Sequence, residues 1–304
     1  MLRLIFHRNL LLPLAIALGF VYPRFAVYLA PLILPVLALA MAISAVHIPN
    51  EVLKDIKRLI LPALAGLGMT YGVLGSILIL SACWGPFPEK ISLGLILIGV
   101  APPAVAVMPF TAAMKGDLPF TLAGVVVAYL GALLIIPGAL FILMGDAFYD
   151  FGRLVAILAW VVLAPIGVSR LIIFLKGADY VKAVDGPLTN LSFFLVLYAI
   201  VGLNRDAFFT ETSVLIPLVV VAFFSTFVLG ETVNLLGKWW CIRPPRRMSL
   251  LLMATLKNQG VAGGIALSLF ESEAALPSAI YAVFMMLSFV WFSLRFKVGE
   301  SKTP

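Results

Sequence analysis

Three consecutive polar residues, Lys257, Asn258 and Gln259, stand inside an otherwise apolar stretch of the sequence. They begin about nine residues, or roughly 13 Å along a helix, from the start of that stretch. A lysine at this depth in a bilayer costs at least a few kcal/mol and cannot easily extend its ammonium to either interface. An ammonium beside two amides could bind an anion or carry a proton, so these residues are the first candidates for a binding site.

A second apolar stretch contains Pro102, Pro103 and Pro109 within eight residues. Proline has no backbone donor and its ring clashes with the preceding turn, so a helix here must break or kink. A carbonyl freed in hydrocarbon costs several kcal/mol unless protein or a water-filled cavity satisfies it. The alternative is a simple proline kink packed against its neighbours.

The composition explains why these residues must be positioned by membrane helices. Hydrophobic residues make up 63% of the 304 residues and charged residues only 12%, against about half and a quarter in a soluble domain. Apolar runs of roughly 18 to 25 residues match the length of a spanning helix. The sequence therefore predicts an all-α polytopic membrane protein with ten transmembrane helices, at 9–23, 25–46, 58–81, 91–113, 118–142, 152–175, 188–204, 213–236, 248–270 and 275–295.

The 21 lysine and arginine residues fall mainly in alternate loops. Arg24, Lys90, Arg153 and Arg205 fall on one side, Lys257 lies within a span, and the others fall on the opposite side. Cytoplasmic loops are rich in lysine and arginine, so we expect both termini to be cytoplasmic and the protein to be multi-pass in the cell (inner or plasma) membrane. The net charge of +7 is then no sign of nucleic-acid binding. The basic loop 243–247 is expected to touch anionic lipid.

The ten predicted spans divide into a first five-helix repeat, 1–145, and a second, 146–304. Five is an odd number, so the second repeat would be inverted relative to the first, as in many secondary transporters. The same dipeptide follows corresponding spans of the two repeats, as Leu118-Pro119 after the fourth span and Leu276-Pro277 after the ninth. This is a weak sign of internal similarity. The two interrupted helices are the fourth of each five, which is typical of a site near the midplane.

At these residues the sequence resembles the bile acid/sodium symporter superfamily of ten-helix transporters. Residues 101–103 through 114–117, with the turn Lys115-Gly116-Asp117, match the family's fourth helix, and Lys257-Asn258 matches the polar pair of its ninth. The resemblance implies a core of about 58–142 and 213–295 and a panel of about 9–46 and 152–204. It also implies that the two broken helices cross and that the substrate is a small organic anion, such as a carboxylate or a bile-acid-like solute.

The chain departs from the family where sodium would bind. Position by position, the family's polar pair falls on Val107 and Met108, its acidic ligand on Ala254 and its glutamine on Lys257. A hard cation needs several oxygen ligands, which the side chains of valine, methionine and alanine do not offer. Sodium coupling is therefore doubtful, and the coupling ion, proton or sodium, stays open. Lys257 would either supply a substitute charge or carry the proton.

The expected substrate and ion site thus comprises Lys257 with the candidate partners Asn258, Gln259, Thr111 and Met108. The crossover would be formed by residues that break a helix or allow close backbone approach: Pro102, Pro103, Pro109, Gly260, Gly263 and Gly264. A purely structural alternative pairs Lys257 with Glu231 or Asn234. No cofactor and no resident metal are expected.

The sequence contains no motif of an enzyme, and it leaves a few non-enzymatic functions open. An enzyme would need a nucleophile with a base or metal ligands at membrane depth, but the only histidines are His7 and His47, near span ends, and no catalytic motif occurs. A channel or receptor needs no compact motif and stays open. The function expected is secondary transport of a small organic anion by alternating access. Among such transporters, an auxin-efflux-carrier-like carboxylate transporter, with the same crossover architecture, is the main alternative to the bile acid/sodium symporter superfamily.

Overall fold

The computed structural model describes residues 8–46, 56–144, 151–210 and 212–296. Both histidines and the predicted repeat boundary at 145–146 lie outside these residues. The described chain is helical throughout, apart from connecting turns and one isolated backbone bridge. The first eight helices are α1 (Arg8–Val21), α2 (Ala26–Leu29), α3 (Ile33–Ala45), α4 (Ile56–Leu67), α5 (Ser76–Trp84), α6 (Glu89–Val100), α7 (Val107–Ala113) and α8 (Leu118–Met144).

The remaining helices lie in the described residues from 151 onward. They are α9 (Phe151–Leu158), α10 (Ala164–Phe174), α11 (Ala178–Leu203), α12 (Ala207–Thr210), α13 (Thr212–Phe223), α14 (Leu229–Trp239), α15 (Pro244–Thr255), α16 (Gln259–Leu269) and α17 (Leu276–Arg295). Some neighbouring helices are parts of a single longer helix. A π-helical segment joins α9 to α10, and another joins α13 to α14.

Seven helices in the described part of the chain are long and apolar enough to cross a membrane. They are Pro23–Ile43, Ile60–Trp84, Leu118–Leu143, Gly152–Phe174, Ala183–Leu203, Ser213–Trp239 and Ser272–Arg295. Each lies within a few residues of a predicted span, and the chain is therefore a polytopic α-helical membrane protein.

The other three predicted spans are not continuous spanning helices among the described residues. The segment predicted at 9–23 is α1, which has 14 residues. The segment predicted at 91–113 is divided between α6 and α7, and that at 248–270 between α15 and α16. A helix of 11 or 12 residues is too short to cross hydrocarbon alone, so length and hydropathy give seven spans instead of ten.

Three of the seven spans contain a π-helical segment: Gly68–Gly75, Ala159–Leu163 and Phe224–Val228. Such segments place side chains and carbonyls out of the regular α-helical register and are frequent at functional sites. Tyr71, in the first segment, donates its hydroxyl to the carbonyl oxygen of Ala128 at 2.7 Å. This bond ties the span to α8.

The helices pack in two sets. The helix α11 contacts α1 and α3, and α10 also contacts α3. In the other set α4 lies against α8, α5 against α6, and α14 against α15. The second broken helix lies between the sets, because α16 contacts α6 and α17 as well as α3 and α11.

Candidate functional site

The two interruptions meet through their backbones. The amide of Asn258 donates to the carbonyl oxygen of Pro102 at 2.8 Å, and the amide of Ala104 donates to that of Leu256 at 3.0 Å. Pro103 and Lys257 stand opposite each other in this antiparallel bridge. The two bonds come from the residues flanking the central pair, so the missing N–H of Pro103 is not required.

The carbonyls released by the first interruption are bound by protein. The carbonyl oxygen of Pro103 accepts the hydroxyl of Tyr129 at 2.8 Å. The oxygens of Gly99 and Ala101 accept the ammonium of Lys257 at 2.7 and 2.8 Å. A break that would be costly in hydrocarbon is therefore compensated by groups from α8 and from the second broken helix.

Lys257 is only 1% exposed. Besides its two bonds to carbonyl oxygens, its Nζ lies 4.5 Å from the centre of the Tyr71 ring. The face of an aromatic ring attracts a cation, and most strongly where water is excluded. The three N–H donors of the ammonium thus have two carbonyl oxygens and one ring face around them.

No acidic residue is paired with Lys257 in the part of the chain that the structure describes. The alternative that Lys257 pairs with Glu231 or Asn234 is wrong. Glu231 accepts from the indole of Trp291 at 3.4 Å and lies 3.5 Å from Arg295, whereas the side-chain oxygen of Asn234 is buried and has no partner among the described residues. Backbone dipoles and a ring face, not a carboxylate, surround this charge.

Asn258 connects both interruptions to α8. Its side-chain oxygen caps α16 by accepting from the amide of Val261 at 3.1 Å, and its side-chain nitrogen donates to the Tyr129 hydroxyl at 3.0 Å. That hydroxyl in turn donates to the carbonyl oxygen of Pro103. One tyrosine therefore holds the amide of the second interruption against the backbone of the first.

Gln259 faces a cavity beside the paired segments. Its side-chain oxygen is buried and has no hydrogen-bond partner among the described residues. The empty space here is about 580 Å³, including the part that opens to solvent. Besides residues 104–106 and 257–260, the lining consists of apolar side chains of α11 and α17: Phe193, Val196, Leu197, Ile200, Ala282, Met285 and Met286.

Three predicted site residues lie away from Lys257 and from this cavity lining. Thr111 is fully buried in α7, where its hydroxyl donates to the carbonyl oxygen of Val107 at 2.8 Å and contacts the hydroxyl of Thr121 at 3.4 Å. Met108 is half-buried and Pro109 exposed, both in the first turn of α7. Thr111 is therefore not a hydrogen-bond partner of Lys257 in this structure.

Two of the residues that stand where the family has sodium ligands are apolar and fully buried. Val107 and Ala254 have no exposed surface, and the ammonium of Lys257 binds carbonyl oxygens of the first broken helix. The described residues hold no cluster of three histidine, cysteine, aspartate or glutamate residues able to bind a metal ion.

The three glycines of α16 face the neighbouring helices, not the paired backbone. A Cβ on Gly260 would come within 2.8 Å of Leu37, one on Gly263 within 2.8 Å of Ile200, and one on Gly264 within 2.7 Å of Leu34. Leu34 and Leu37 belong to α3 and Ile200 belongs to α11. The absence of side chains on α16 thus allows it to pack closely against the first set of helices.

Tyr71, Tyr129 and the acceptors at Gly99 and Ala101 were not predicted from the sequence. A signal was present for the tyrosines, because a hydroxyl inside an apolar span must find a partner. The carbonyl acceptors had none, since every residue has a carbonyl and only the tertiary structure decides which ones meet the ammonium.

Comparison with known proteins agrees with this architecture. A family model described as the Sodium Bile acid symporter family matches residues 30–211, more than half of the chain. The match includes the first interruption and ends before the second. None of the curated proteins compared with the chain matches it. With a family match of this extent over a polytopic helical fold, the chain belongs to the sodium bile acid symporter family, whose members are membrane transporters.

Proposed function

We propose that this protein is a secondary transporter of a small organic anion that works by alternating access, and that the ammonium of Lys257 permanently supplies the charge that a bound sodium ion supplies in a sodium symporter. The observation that carries this proposal is the environment of Nζ. It donates to the carbonyl oxygens of Gly99 and Ala101 and lies over the ring of Tyr71.

This environment suits a charged ammonium. Carbonyl oxygens and an aromatic face are the groups that surround a monovalent cation in a dry site, and neither requires a carboxylate nearby. The positions that would provide oxygen ligands for sodium are Val107, Met108 and Ala254, which offer no side-chain oxygen. The lysine at position 257 and the missing sodium ligands are thus explained together: a covalently attached charge takes the place of the bound ion.

The cavity supports an organic anion with an apolar body. Most of its lining is aliphatic, aromatic or methionine side chains, with the amides of Asn258 and Gln259 at one end. Few polar groups in an apolar pocket are typical of small-molecule sites, where the polar groups fix orientation. The nearby charge of Lys257 favours a negative group at that end, although its donors are occupied by protein acceptors.

The finer architecture belongs to the same proposal. We propose ten helices in two inverted repeats, in which α1 is the first span and the two broken helices cross. The two sets of packed helices correspond to the panel, 9–46 and 152–204, and the core, 58–142 and 213–295. The cavity lies between α11 of the panel and the broken helices of the core, where a rocking motion would open it alternately to each side.

Contacts at the helix ends support the inverted repeat. Arg205, at the end of α11, donates to the carbonyl oxygen of Phe20 at the end of α1 at 2.8 Å. Arg170, near the end of α10, donates to that of Ala45 at the end of α3 at 2.5 Å. In two repeats related by a two-fold axis, α1 corresponds to the span ending in α10, and α3 to α11. The two contacts then exchange places. The proposal also places both termini in the cytoplasm and the protein in the cell membrane.

The test is uptake of labelled organic anions into proteoliposomes under imposed sodium or proton gradients. Wild type is compared with Lys257→Met, which keeps the length and removes the charge, and with Lys257→Arg, which keeps the charge. We expect wild-type uptake to be independent of sodium and to fall at least about tenfold in Lys257→Met, since loss of a buried charge worth a few kcal/mol changes an equilibrium by this much or more. Lys257→Arg should retain part of the activity.

Two results would contradict the fixed charge. Sodium-driven uptake that persists in Lys257→Met would show that the ion binds elsewhere. Proton-driven uptake abolished by the same substitution would make Lys257 a proton carrier. Saturable counterflow of labelled substrate separates a carrier from a channel, and its absence would exclude alternating access.

A further inference from the structure

One surface of the second set of helices is rich in positive charge. At this surface, the turn 115–120 and the segment 238–247 are held together by the amide of Asp117, which donates to the carbonyl oxygen of Pro245 at 3.1 Å. These segments contain five basic residues and a single acidic one, Asp117: the basic residues are Lys115, Lys238, Arg243, Arg246 and Arg247.

Only one of the arginines here is used by Asp117. Arg246 lies 3.3 Å from that carboxylate and 4.7 Å from the centre of the Phe120 ring. The side chains of Lys238 and Arg243 are exposed. Arg247 is half-buried, with its stem against Gly237, where a Cβ would come within 2.8 Å of it, and its Nε is buried without a hydrogen-bond partner among the described residues. Most of the positive charge is therefore not neutralised within the protein.

The position of this surface relative to the bilayer indicates what neutralises it. The span Ser213–Trp239 ends here and the span Leu118–Leu143 begins here. Trp239 and Trp240 are 77% and 64% exposed, and tryptophans at a span end lie at the level of the lipid headgroups. Exposed cations at that level attract anionic headgroups.

We propose that Lys238, Arg243 and Arg247, flanked by Trp239 and Trp240, form a binding site for the phosphate headgroup of an anionic phospholipid. The tryptophan rings lie beside the glycerol and upper acyl region of the lipid while the cations meet the phosphate. The site lies at the turn between α14 and α15, and α15 leads directly to Lys257. A bound headgroup therefore stabilises the end of the second broken helix that is joined to Asp117.

The experiment compares two variants that each remove two exposed basic side chains. Lys238→Gln/Arg243→Gln changes the site, and Arg24→Gln/Lys176→Gln removes the same charge from exposed positions elsewhere. Each protein is placed in nanodiscs of phosphatidylcholine, alone or mixed with phosphatidylglycerol. Retained phosphatidylglycerol is counted by native mass spectrometry, and the thermal unfolding midpoint is measured at low and high salt.

We expect phosphatidylglycerol to raise the unfolding midpoint of wild type and of the control variant. Its affinity should fall roughly tenfold or more in the site variant, with loss of the thermal gain. High salt should reduce the rise in the unfolding midpoint that phosphatidylglycerol causes in wild type and in the control variant, because salt screens the attraction between the cations and the headgroup. Equal retention by the two variants, no effect of phosphatidylglycerol on wild type, or an equal gain from inorganic phosphate in phosphatidylcholine nanodiscs would each overturn the proposal.

Discussion

The two interrupted helices contribute different groups to the place where they meet. The first, between α6 and α7, has only apolar side chains from Ala101 to Ala106 and contributes backbone carbonyls. The second, between α15 and α16, contributes the ammonium of Lys257 and the amides of Asn258 and Gln259. Apart from the backbone bond from the Ala104 amide to the carbonyl oxygen of Leu256, the first interruption accepts hydrogen bonds and the second donates them.

This difference shows how a buried cation can be stabilised without a carboxylate. Prolines in the first helix remove donors and leave carbonyl oxygens without helical partners. Those oxygens then bind the charge of the second helix, which is costly to bury alone. The carbonyl oxygens of the first interruption and the ammonium of the second are each other's hydrogen-bond partners. Neither interruption is therefore expected to be stable without the other.

The largest effect on stability is expected from Asn258→Ala. The change removes the cap of α16, worth about 1 kcal/mol, and the bond to Tyr129, worth up to about 1 kcal/mol in a membrane protein. We expect the free energy of unfolding to fall by about 2 kcal/mol, measured by thermal or denaturant unfolding in detergent.

The matched control lies in the first interruption, where side chains make no polar contacts. Val105→Ala truncates a residue of the cavity lining and should cost less than about 1 kcal/mol. If the two substitutions are equally destabilising, the contrast between a backbone interruption and a side-chain interruption does not hold.

A smaller effect is expected from Tyr129→Phe, which removes the hydroxyl that joins both interruptions. The change leaves the carbonyl of Pro103 and the side-chain nitrogen of Asn258 without this partner, for an expected cost of about 1 kcal/mol. In the double variant with Asn258→Ala, the cost should be less than the sum of the single costs, because the two residues share a bond. Strict additivity would show that this bond contributes nothing.

The smallest effect is expected at the outer ends of the same helices. Lys90, at the start of α6, pairs with Glu271 and, at 3.3 Å, with Glu273 beyond the end of α16. The hydrogen bonds to Glu271 and then Glu273 raise the pKa of Lys90 above its ordinary value. Because the folded pKa is raised, the pair stabilises the protein below the ordinary lysine pKa of about 10.4 and loses this effect as pH rises through the folded value.

These side chains are exposed, and exposed ion pairs contribute little. Lys90→Gln should therefore lower the unfolding midpoint only slightly at neutral pH and low salt. The difference from wild type should vanish at high salt and at a pH above the folded pKa. A large difference that survives high salt would mean that the outer ends, not the paired interruptions, hold the two broken helices together.

Much of the fold followed from local features of the sequence. Apolar runs of fixed length located the seven continuous spans, because hydrocarbon thickness sets the length of a helix that crosses it. Pro102 and Pro103, and the polar run that starts at Lys257, located both interruptions. The count of ten spans was not reached by length and hydropathy, since two predicted spans are divided by a break and α1 has only 14 described residues.

The site followed from the sequence only in part. Lys257 and Asn258 were recognised because polar groups in hydrocarbon are costly and need a reason to be there. Thr111 was expected as a hydrogen-bond partner of Lys257, but its hydroxyl bonds within α7. A local bond to the carbonyl four residues earlier is always available to a threonine in a helix, and the sequence cannot show whether it is used.

The sequence by itself determined that this chain spans a membrane, where its helices are interrupted, and that one interruption carries a lysine. These properties depend on the cost of transferring each segment from water to hydrocarbon, which is a sum over its own residues. Only the tertiary structure decided that the ammonium of Lys257 binds the carbonyls of Gly99 and Ala101 and faces Tyr71. Its partners are distant in the chain, and two of them are backbone groups that every residue has, so no local pattern could specify them.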